Sequence, residues 1–469
     1  MALTTDTRTR GPSVAVPFAA IVLAMLPAVL DQTILATALP VVASDLGRLS
    51  DVSWVVTGYV VAAAATTPLW GKLGDRHGRK RLLQAALALF VTTSALCAAA
   101  QDITQLVVLR VIQGAGAGGL MTLAMAAVGD LVSPRERGRY QGYIASVFAL
   151  ATIVGPLLGG VLVEHASWRW VFLVNLPLGI VALAALALRL PASEPDERAR
   201  GRALDAAGAG LLAGATAALM LACIWGGDRY GWGSAEILGL LAAALVLGAG
   251  LVARERRAED PIVPLHLLRT RPVAVASGAL FLGTAALFSV TVFVPVLLEA
   301  TTGATPTQAG LLLVPAMLGI ALSTTLSGRS IAASGRYKRF PIAGLALMTA
   351  ALALLAAVAQ ERSRTATGVA LAVFGLGFGM VTQVLVIAVQ NSVERRELGV
   401  ATATTGFFRA MGGALGAAVL GAVFAAHAGP AAAHPDVAGG VQAVFLLAAP
   451  LAALALLVVL ALPERPLRA

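Results

Sequence analysis

The sequence predicts an all-α membrane protein of fourteen transmembrane helices, arranged as two six-helix bundles with two further helices between them. Of the 469 residues, 58% are hydrophobic and only 12% are charged, which is far from the composition of a soluble domain. A helix needs about 20 mostly apolar residues to span a bilayer, and the chain offers fourteen such segments. The predicted spans are 14–39, 53–70, 82–100, 103–132, 140–163, 170–190, 204–225, 235–253, 273–299, 306–327, 340–360, 366–391, 398–425 and 439–462.

The basic residues indicate the orientation of the chain. The formal net charge is +10, and most lysines and arginines fall in alternate loops, on one side of the predicted spans. Because cytoplasmic loops carry an excess of Lys and Arg, both termini are predicted to be cytoplasmic in a multi-pass protein of the cytoplasmic (inner) membrane. The charge is therefore a topology signal and does not indicate a nucleic-acid partner.

Two stretches of sequence repeat at one offset and indicate an internal duplication. The loop "GKLGDRHGRKR" (71–81) aligns with "GRSIAASGRYKR" (328–339) at an offset of 257 residues, and the same offset brings "GPLLGG" (155–160) onto "GGALGA" (412–417). The partners lie eight spans apart, so two inserted spans separate two six-helix halves. The predicted organisation is a cytoplasmic tail 1–13, an N-terminal bundle 14–190, two inserted helices with their linkers 191–272, a C-terminal bundle 273–462 and a cytoplasmic tail 463–469.

Glycines spaced four apart recur in both halves and predict close helix crossings. The pairs are Gly114/Gly118, Gly155/Gly159, Gly375/Gly379 and Gly412/Gly416. Tight static packing explains any one pair, whereas four pairs at corresponding places suggest surfaces that slide during a conformational change. Pro156 follows Gly155 inside a predicted span, and its missing N–H predicts a kink at that crossing.

Asp31 and Arg110 are ionisable residues inside predicted spans. An ionised side chain near the bilayer centre costs ~2.5–3.5 kcal/mol on insertion scales, so such groups normally face a partner and a cavity. Gln113 shares a helical face with Arg110. If spans one and four are neighbours, the guanidinium favours an ionised Asp31 while desolvation opposes it, and such a carboxyl group can exchange a proton as water access changes. A permanent ion pair that only fixes helix register is the alternative.

The loop 71–81 carries a charged cluster at a helix–helix turn. A carboxylate can cap a helix N-terminus and arginines can bridge to acids, so this loop is predicted to form a latch that breaks when the two halves tilt. The same charges also anchor the loop in the cytoplasm, and the two roles do not compete. The predicted latch residues are Gly71, Asp75, Arg76, Gly78 and Arg79 in the loop, with Asp130, Glu136 and Arg139 near the end of span four.

Polar and aromatic residues inside the spans predict a substrate cavity. Its predicted residues are Tyr59, Gln113, Phe407, Phe408 and Arg409. The sequence leaves open whether Arg409 contacts a ligand or pairs with an acid elsewhere in the chain. With 5% aromatic residues, the cavity is expected to be apolar and permissive. The two cysteines and the scattered histidines show no metal-ligand spacing, so neither a metal nor a cofactor is expected.

Five sequence motifs occur in order along the chain. They are "LDQTILATALP" (30–40), "SWVVTGYVVAAAATTPLWGKLGDRHGRKRLL" (53–83), "LRVIQGAGAG" (109–118), "GPLLGG" (155–160) and "WRWVFLVNLPLG" (168–179). Together they resemble the major facilitator superfamily, and specifically its fourteen-span drug:proton antiporter branch, over essentially the whole chain. The C-terminal loop departs from the pattern, with Ala332 where Asp75 would repeat, so a second latch is expected to be weaker or absent.

This resemblance implies the major facilitator fold, in which two bundles surround a cavity that opens alternately to each side. It implies a monomeric antiporter that exports amphiphilic, aromatic or cationic drugs in exchange for protons, with Asp31 and Arg110 in proton coupling. A dedicated exporter of one endogenous metabolite, peptide or lipid is the alternative within transport. A membrane enzyme or a sensor would need a catalytic constellation or an added soluble domain, and neither is visible; no G-x-x-x-x-G-K-[ST] motif indicates an ATP-driven pump.

Overall fold

The computed structural model describes residues 14–46, 49–192, 204–227, 229–302, 311–361, 363–428, 436–464 and 467. The predicted N-terminal tail 1–13 and most of the linker 191–203 lie outside the described residues. The start of the predicted span 306–327 and part of the C-terminal tail 463–469 also lie outside them.

Within this part of the chain the named elements are α-helices. They are α1 (Ala15–Leu46), α2 (Leu49–His77), α3 (Arg79–Ala98), α4 (Ile103–Leu131), α5 (Pro134–His165), α6 (Trp170–Leu173), α7 (Asn175–Arg189), α8 (Ala206–Trp225), α9 (Ala235–Glu255), α10 (Leu265–Arg269), α11 (Arg271–Thr302), α12 (Val314–Ser334), α13 (Arg339–Val358), α14 (Arg364–Ser392), α15 (Leu398–Ala428) and α16 (Val437–Leu460). Two of these helices, α6 and α10, are short. One turn of 3-10 helix, Arg395–Glu397, precedes α15.

Each of the fourteen predicted spans overlaps these helices, with the sixth span divided between α6 and α7. In the described residues, 12 segments are long and apolar enough to cross a membrane. The helices α2 and α12 are not among these segments. The count of fourteen spans therefore stays a prediction.

The two repeat-related turns each place a glycine at a positive φ, although their ψ angles differ, at 130° for Gly78 and 0° for Gly335. Gly78 separates α2 from α3 with φ 89°, and Gly335 ends α12 with φ 69°. Residues with a side chain rarely adopt a positive φ, which explains a glycine at this place in both loops. These are the two glycines that the 257-residue offset aligns, so the sequence repeat is visible in the backbone.

The predicted glycine pairs pack helices together inside each half. A side chain at any of them would meet the partner helix: Gly114 and Gly118 face α2, Gly155 and Gly159 face α1, Gly375 and Gly379 face α12, and Gly412 and Gly416 face α11. The first and third crossings correspond under the repeat, as do the second and fourth. Pro156 lies inside α5 beside the second crossing. Every crossing lies within one half, so these glycines pack the helices of each half, and the predicted sliding surfaces stay a prediction.

The two halves meet along two other helix pairs, α2 with α15 and α5 with α12. Gly71 lies against Gly399 at the first seam, and Gly138 lies against Gly328 at the second. All four glycines lie at the end of the bundle that carries the loops 71–81 and 328–339, which is called the basic face below. The halves are therefore in close backbone contact at the basic face.

The two inserted helices pack on one side of the bundle. Met220 of α8 clusters with Val61 and Ala64 of α2 and with Met411 of α15. Helix α9 packs against α8 and leaves most of its surface exposed. Helix α8 therefore covers the seam between α2 and α15.

The crossing of α15 with α11 gives a test of the glycine assignment. Gly412→Ala is expected to destabilise the protein by about 1–3 kcal/mol, the usual cost of overpacking, because its methyl group would meet the α11 backbone at Phe281. Gly421→Ala is the matched control on the same helix, where a side chain meets open space, and should be neutral or slightly stabilising because alanine favours a helix. Thermal unfolding in one detergent measures both, and equal midpoints would contradict the assigned crossing.

Candidate functional site

A cavity of about 420 Å³ lies between the two halves. Helices α1, α2, α4 and α5 line it from the first half, and α11, α14 and α15 line it from the second. Of the predicted cavity residues, Tyr59 and Arg409 line it, whereas Gln113, Phe407 and Phe408 do not. Gln113 is buried inside the first half. Phe407 packs against Phe408 and against the cluster of Val61, Ala64, Met220 and Met411. Successive residues on a helix point about 100° apart, so the neighbours of Arg409 do not share its direction.

Most of the cavity lining could not be identified from the sequence. The apolar part includes Met25, Met121, Met125, Phe148 and Phe378, and the polar part includes Gln32, Thr67, Thr122, Thr284, Thr382, Gln383, Thr402 and Thr405. Such residues are common in any membrane helix, and only the one-turn spacing of Met121 and Met125 indicates a shared face. The lining is thus mixed, with apolar walls and scattered hydroxyl and amide groups.

Arg409 is the single charged side chain among the described residues that line this cavity. Its side chain is exposed and faces the cavity. Within the described part of the chain, Arg409 forms no hydrogen bond or ion pair. Of the two alternatives that the sequence left open, pairing with an acid is therefore not observed.

Asp31 and Arg110 form an ion pair inside the first half. Nη1 of Arg110 donates to Oδ2 of Asp31 at 2.5 Å and to Oε1 of Gln113 at 2.7 Å. The other carboxylate oxygen, Oδ1, accepts from Nδ2 of Asn175 at 3.1 Å and from Nε2 of Gln113 at 3.3 Å. The Tyr59 ring stacks on the guanidinium, with its centroid 4.1 Å from Cζ. The structure thus brings together the predicted pair and satisfies both carboxylate oxygens.

This ion pair is next to the cavity but does not line it. Asp31 is fully buried and Arg110 is 1% exposed, while Gln32 and Tyr59 form part of the cavity wall. The Tyr59 ring therefore contacts the cavity on one side and the Arg110 guanidinium on the other.

Asn175 is a member of the site that the sequence analysis missed. Its Nδ2 donates to Asp31 and also to Oγ of Ser94 on α3, at 3.0 Å. Its Oδ1 is buried and has no hydrogen-bond partner in the described residues. An asparagine at the start of the apolar stretch "NLPLGIVALAALAL" was the available signal, because a polar side chain in a membrane helix normally has a partner.

Asp75 links the two halves at the basic face. Its carboxylate accepts from the backbone N–H groups of Gly399 at 2.9 Å and Val400 at 2.8 Å, so it caps the first turn of α15. Arg79 donates to Asp75 at 2.6 Å and also pairs with Asp130. Burial raises the pKa of the Asp75 carboxyl above its usual value, and the Arg79 guanidinium and the two N–H groups lower it only in part. The carboxylate thus carries a desolvation cost that these partners offset only in part.

Arg76 lies outside this cluster, contrary to the prediction. Arg76 and Lys72 instead form ion pairs with Asp260, which lies in the linker between α9 and α10. The sequence analysis missed Asp260, because an acid in a charged linker 184 residues away gives no local signal. The linker of the inserted helices is therefore held on the loop 71–81.

Glu136 and Arg139 also lie outside the cluster around Asp75. Glu136 accepts from Oγ of Ser133 at 3.3 Å, which is the S-x-x-E arrangement of a helix start. Arg139 donates to the hydroxyl of Tyr143, one turn later on the exposed face of α5, at 3.0 Å. The geometry of α5 directs these two side chains to local partners.

Comparison with known sequences gives three related findings. A sequence model of the Major Facilitator Superfamily matches residues 21–417. An uncharacterized MFS-type transporter of Mycobacterium tuberculosis is 39% identical over 408 residues, which is 87% of this chain; the chain spans 59% of the length of that relative. The multidrug transporter protein MdtP of Bacillus subtilis is 33% identical over 409 residues, covering 87% of this chain and 75% of MdtP.

Two solved structures are similar in fold. The human organic anion transporter MFSD10 superposes with a TM-score of 0.70 at 20% identity, covering 96% of this chain and 100% of that chain. The proton:xylose symporter XylE superposes with a TM-score of 0.68 at 15% identity, covering 96% of both chains. At these identities the likeness bears on the fold alone.

The contact of Asp75 with α15 predicts a change in conformation on substitution. Asp75→Asn is expected to shift the population ratio of the open and closed basic face about tenfold toward open, since charge-assisted hydrogen bonds contribute about 1.5–3 kcal/mol. Distances between spin labels at Arg81 and Ala333, which are exposed on opposite halves of this face, measure the ratio. Glu136→Gln is the matched control, because Glu136 bonds within its own half. Identical distance distributions for Asp75→Asn and the unsubstituted protein would contradict the role of this contact.

Proposed function

This chain belongs to the major facilitator superfamily, a family of membrane transporters and not of enzymes, and we propose that it exports amphiphilic compounds across the cytoplasmic membrane in exchange for protons. We also propose that the chain belongs to the fourteen-span drug:proton antiporter branch, that both of its termini lie in the cytoplasm and that it works as a monomer. The observation that carries it is the Asp31–Arg110 ion pair, buried next to a cavity that both halves line.

Asp31 is the proton-binding group in this proposal. As a carboxylate, Asp31 holds Arg110, Gln113 and Asn175 around its two oxygens. A proton on Asp31 removes the charge that attracts Arg110 and turns one oxygen into a donor. The unpaired Oδ1 of Asn175 offers an acceptor for that donor after rotation of the amide. Protonation would therefore rearrange contacts among α1, α4 and α7.

Access to Asp31 alternates between the two sides of the membrane in this proposal. Contacts across the basic face, including Asp75 with Gly399 and Val400, support a state closed at that face. Proton binding occurs from the opposite side, and release follows once the basic face has opened. Tyr59 is placed to separate the ion pair from the cavity, because it contacts both.

The proton gradient is sufficient to drive export. A proton that moves inward releases ~2.3 kcal/mol per 100 mV and ~1.4 kcal/mol per pH unit. Since each 1.4 kcal/mol corresponds to a factor of about ten, one proton at these values supports a substrate gradient of about a hundredfold or more.

Substitution of Asp31 tests the coupling. In proteoliposomes with an imposed pH gradient, Asp31→Asn is expected to abolish proton-driven transport while preserving exchange of the same compound across the membrane without a gradient, because the cavity lining is unchanged. Asp45→Asn is the matched control on the same helix, where Asp45 pairs with Arg169 at a partly exposed site, and should retain proton-driven transport.

A second variant separates coupling from folding. Asp31→Asn leaves Arg110 buried without its counter-charge, which can cost about 3–5 kcal/mol. Asp31→Asn/Arg110→Gln removes both charges and is expected to recover thermal stability without recovering proton-driven transport. Proton-driven transport at the unsubstituted rate in either variant would remove Asp31 from the mechanism.

A further inference from the structure

We propose that the exported compound is an amphiphilic organic anion, whose carboxylate or sulfonate group pairs with Arg409 while its apolar body lies against the cavity walls. This inference rests on the proposed export function and names its substrate class. It replaces the expectation of a cationic drug that the sequence resemblance suggested.

The charge of the cavity is the first argument. Arg409 is the one charged residue among the described lining residues, which include no aspartate or glutamate. Asp31 is neither in the lining nor unpaired, since Arg110 neutralises it. A ligand in this cavity therefore meets one uncompensated positive charge. A cationic ligand would be repelled by it and would find no carboxylate.

The isolation of Arg409 is the second argument. A charged side chain inside a membrane span normally has a partner, yet Arg409, which faces the cavity, has none in the described residues. Charges interact more strongly at low effective dielectric than in water. A guanidinium also presents paired N–H donors that match the two oxygens of a carboxylate. A bound organic anion supplies the missing partner.

Two neutral polar groups near Arg409 complete the site. Oγ1 of Thr284 and Oε1 of Gln383 belong to lining residues and have no hydrogen-bond partners in the described residues. Thr284 lies beside Gly413, one turn after Arg409 on α15, where a side chain at Gly413 would come within 3.6 Å of the Thr284 methyl group. Both atoms are buried, so the Thr284 hydroxyl reaches an anion in the cavity only after its side chain rotates, and the Gln383 amide donates to it only after its ends are exchanged.

The remaining lining suits an apolar body of variable shape. Met25, Met121 and Met125 are flexible, polarizable side chains that adapt to different ligands, and Phe148 and Phe378 offer aromatic faces. The volume of about 420 Å³ lies within the range of roughly 300–1,000 Å³ for small-molecule sites. The cavity is therefore expected to bind the charged group of the ligand at one place and to accept apolar bodies of different shapes.

Three dansyl probes that differ in charge test this assignment. They are N-dansyl-6-aminohexanoate, a neutral N-butyl dansylamide and dansylcadaverine, which carries an ammonium group. Binding is measured by fluorescence on the full chain in nanodiscs without a proton gradient. The unsubstituted protein is expected to bind the carboxylate probe at least tenfold more tightly than the ammonium probe. Arg409→Gln should abolish that preference, and Arg409→Lys should keep part of it because the charge remains while the paired donor geometry is lost.

Matched controls separate this inference from the proton-coupling proposal. Arg257→Gln, at an exposed arginine outside the cavity, should leave the preference unchanged. Asp45→Asn, which removes an acid of a partly exposed ion pair outside the cavity, should also leave it unchanged. If the unsubstituted protein prefers the carboxylate probe in an Arg409-dependent way but shows no proton-driven transport, only the coupling mechanism is overturned.

Thermal stability gives a second readout for Arg409. Without ligand, Arg409→Gln is expected to be at least as stable as the unsubstituted protein, because the substitution removes a cation that has no partner in the described residues. Marked destabilisation by Arg409→Gln would assign Arg409 a structural partner and overturn the proposal. Tighter binding of the ammonium probe, equal or absent binding of all three probes, or an unchanged preference in Arg409→Gln would also overturn it.

Discussion

A charge inside a membrane protein needs a partner, and this constraint distinguishes the two halves of the transporter. In the first half, Arg110 and the amides of Gln113 and Asn175 surround Asp31 and leave neither carboxylate oxygen unpaired. In the second half, Arg409 faces the cavity with no acid beside it. One charge is thus balanced within the protein, while the other has no partner among the described residues. In the proposed mechanism, this division gives proton binding to one half and the substrate contact to the other.

The repeat preserved helix packing more faithfully than chemistry. Gly78 and Gly335 both have a positive φ, and the paired glycines pack equivalent helices in each half. Ala332, in contrast, occupies the place of Asp75 and offers no carboxylate to the opposite half. Both seams have a close glycine contact, Gly71 with Gly399 and Gly138 with Gly328. The seam between α2 and α15 adds the hydrogen bonds of Asp75 and the packing of α8.

The sequence predicted features that depend on composition, periodicity or a costly residue type. Asp31 and Arg110 were identifiable because charges are rare in apolar spans, and the all-helical fold followed from hydropathy. Contacts set by side-chain direction were not predictable: Phe408 adjoins Arg409 in the chain but does not line the cavity. Asp260 was missed because its partners are set by tertiary packing far away in the chain. A single sequence reports which residues are unusual, and the fold decides which of them meet.

The lone guanidinium of Arg409 also bears on the electrical cost of transport. If the cargo is negative, its outward movement and the inward movement of a proton transfer charge in the same sense. The membrane voltage then acts on both steps, and with ~2.3 kcal/mol per elementary charge per 100 mV, each one-for-one cycle with a monovalent anion gains about twice that amount. A cell with an inside-negative potential could thus run such an exporter on voltage even when the external medium is alkaline and the pH difference vanishes.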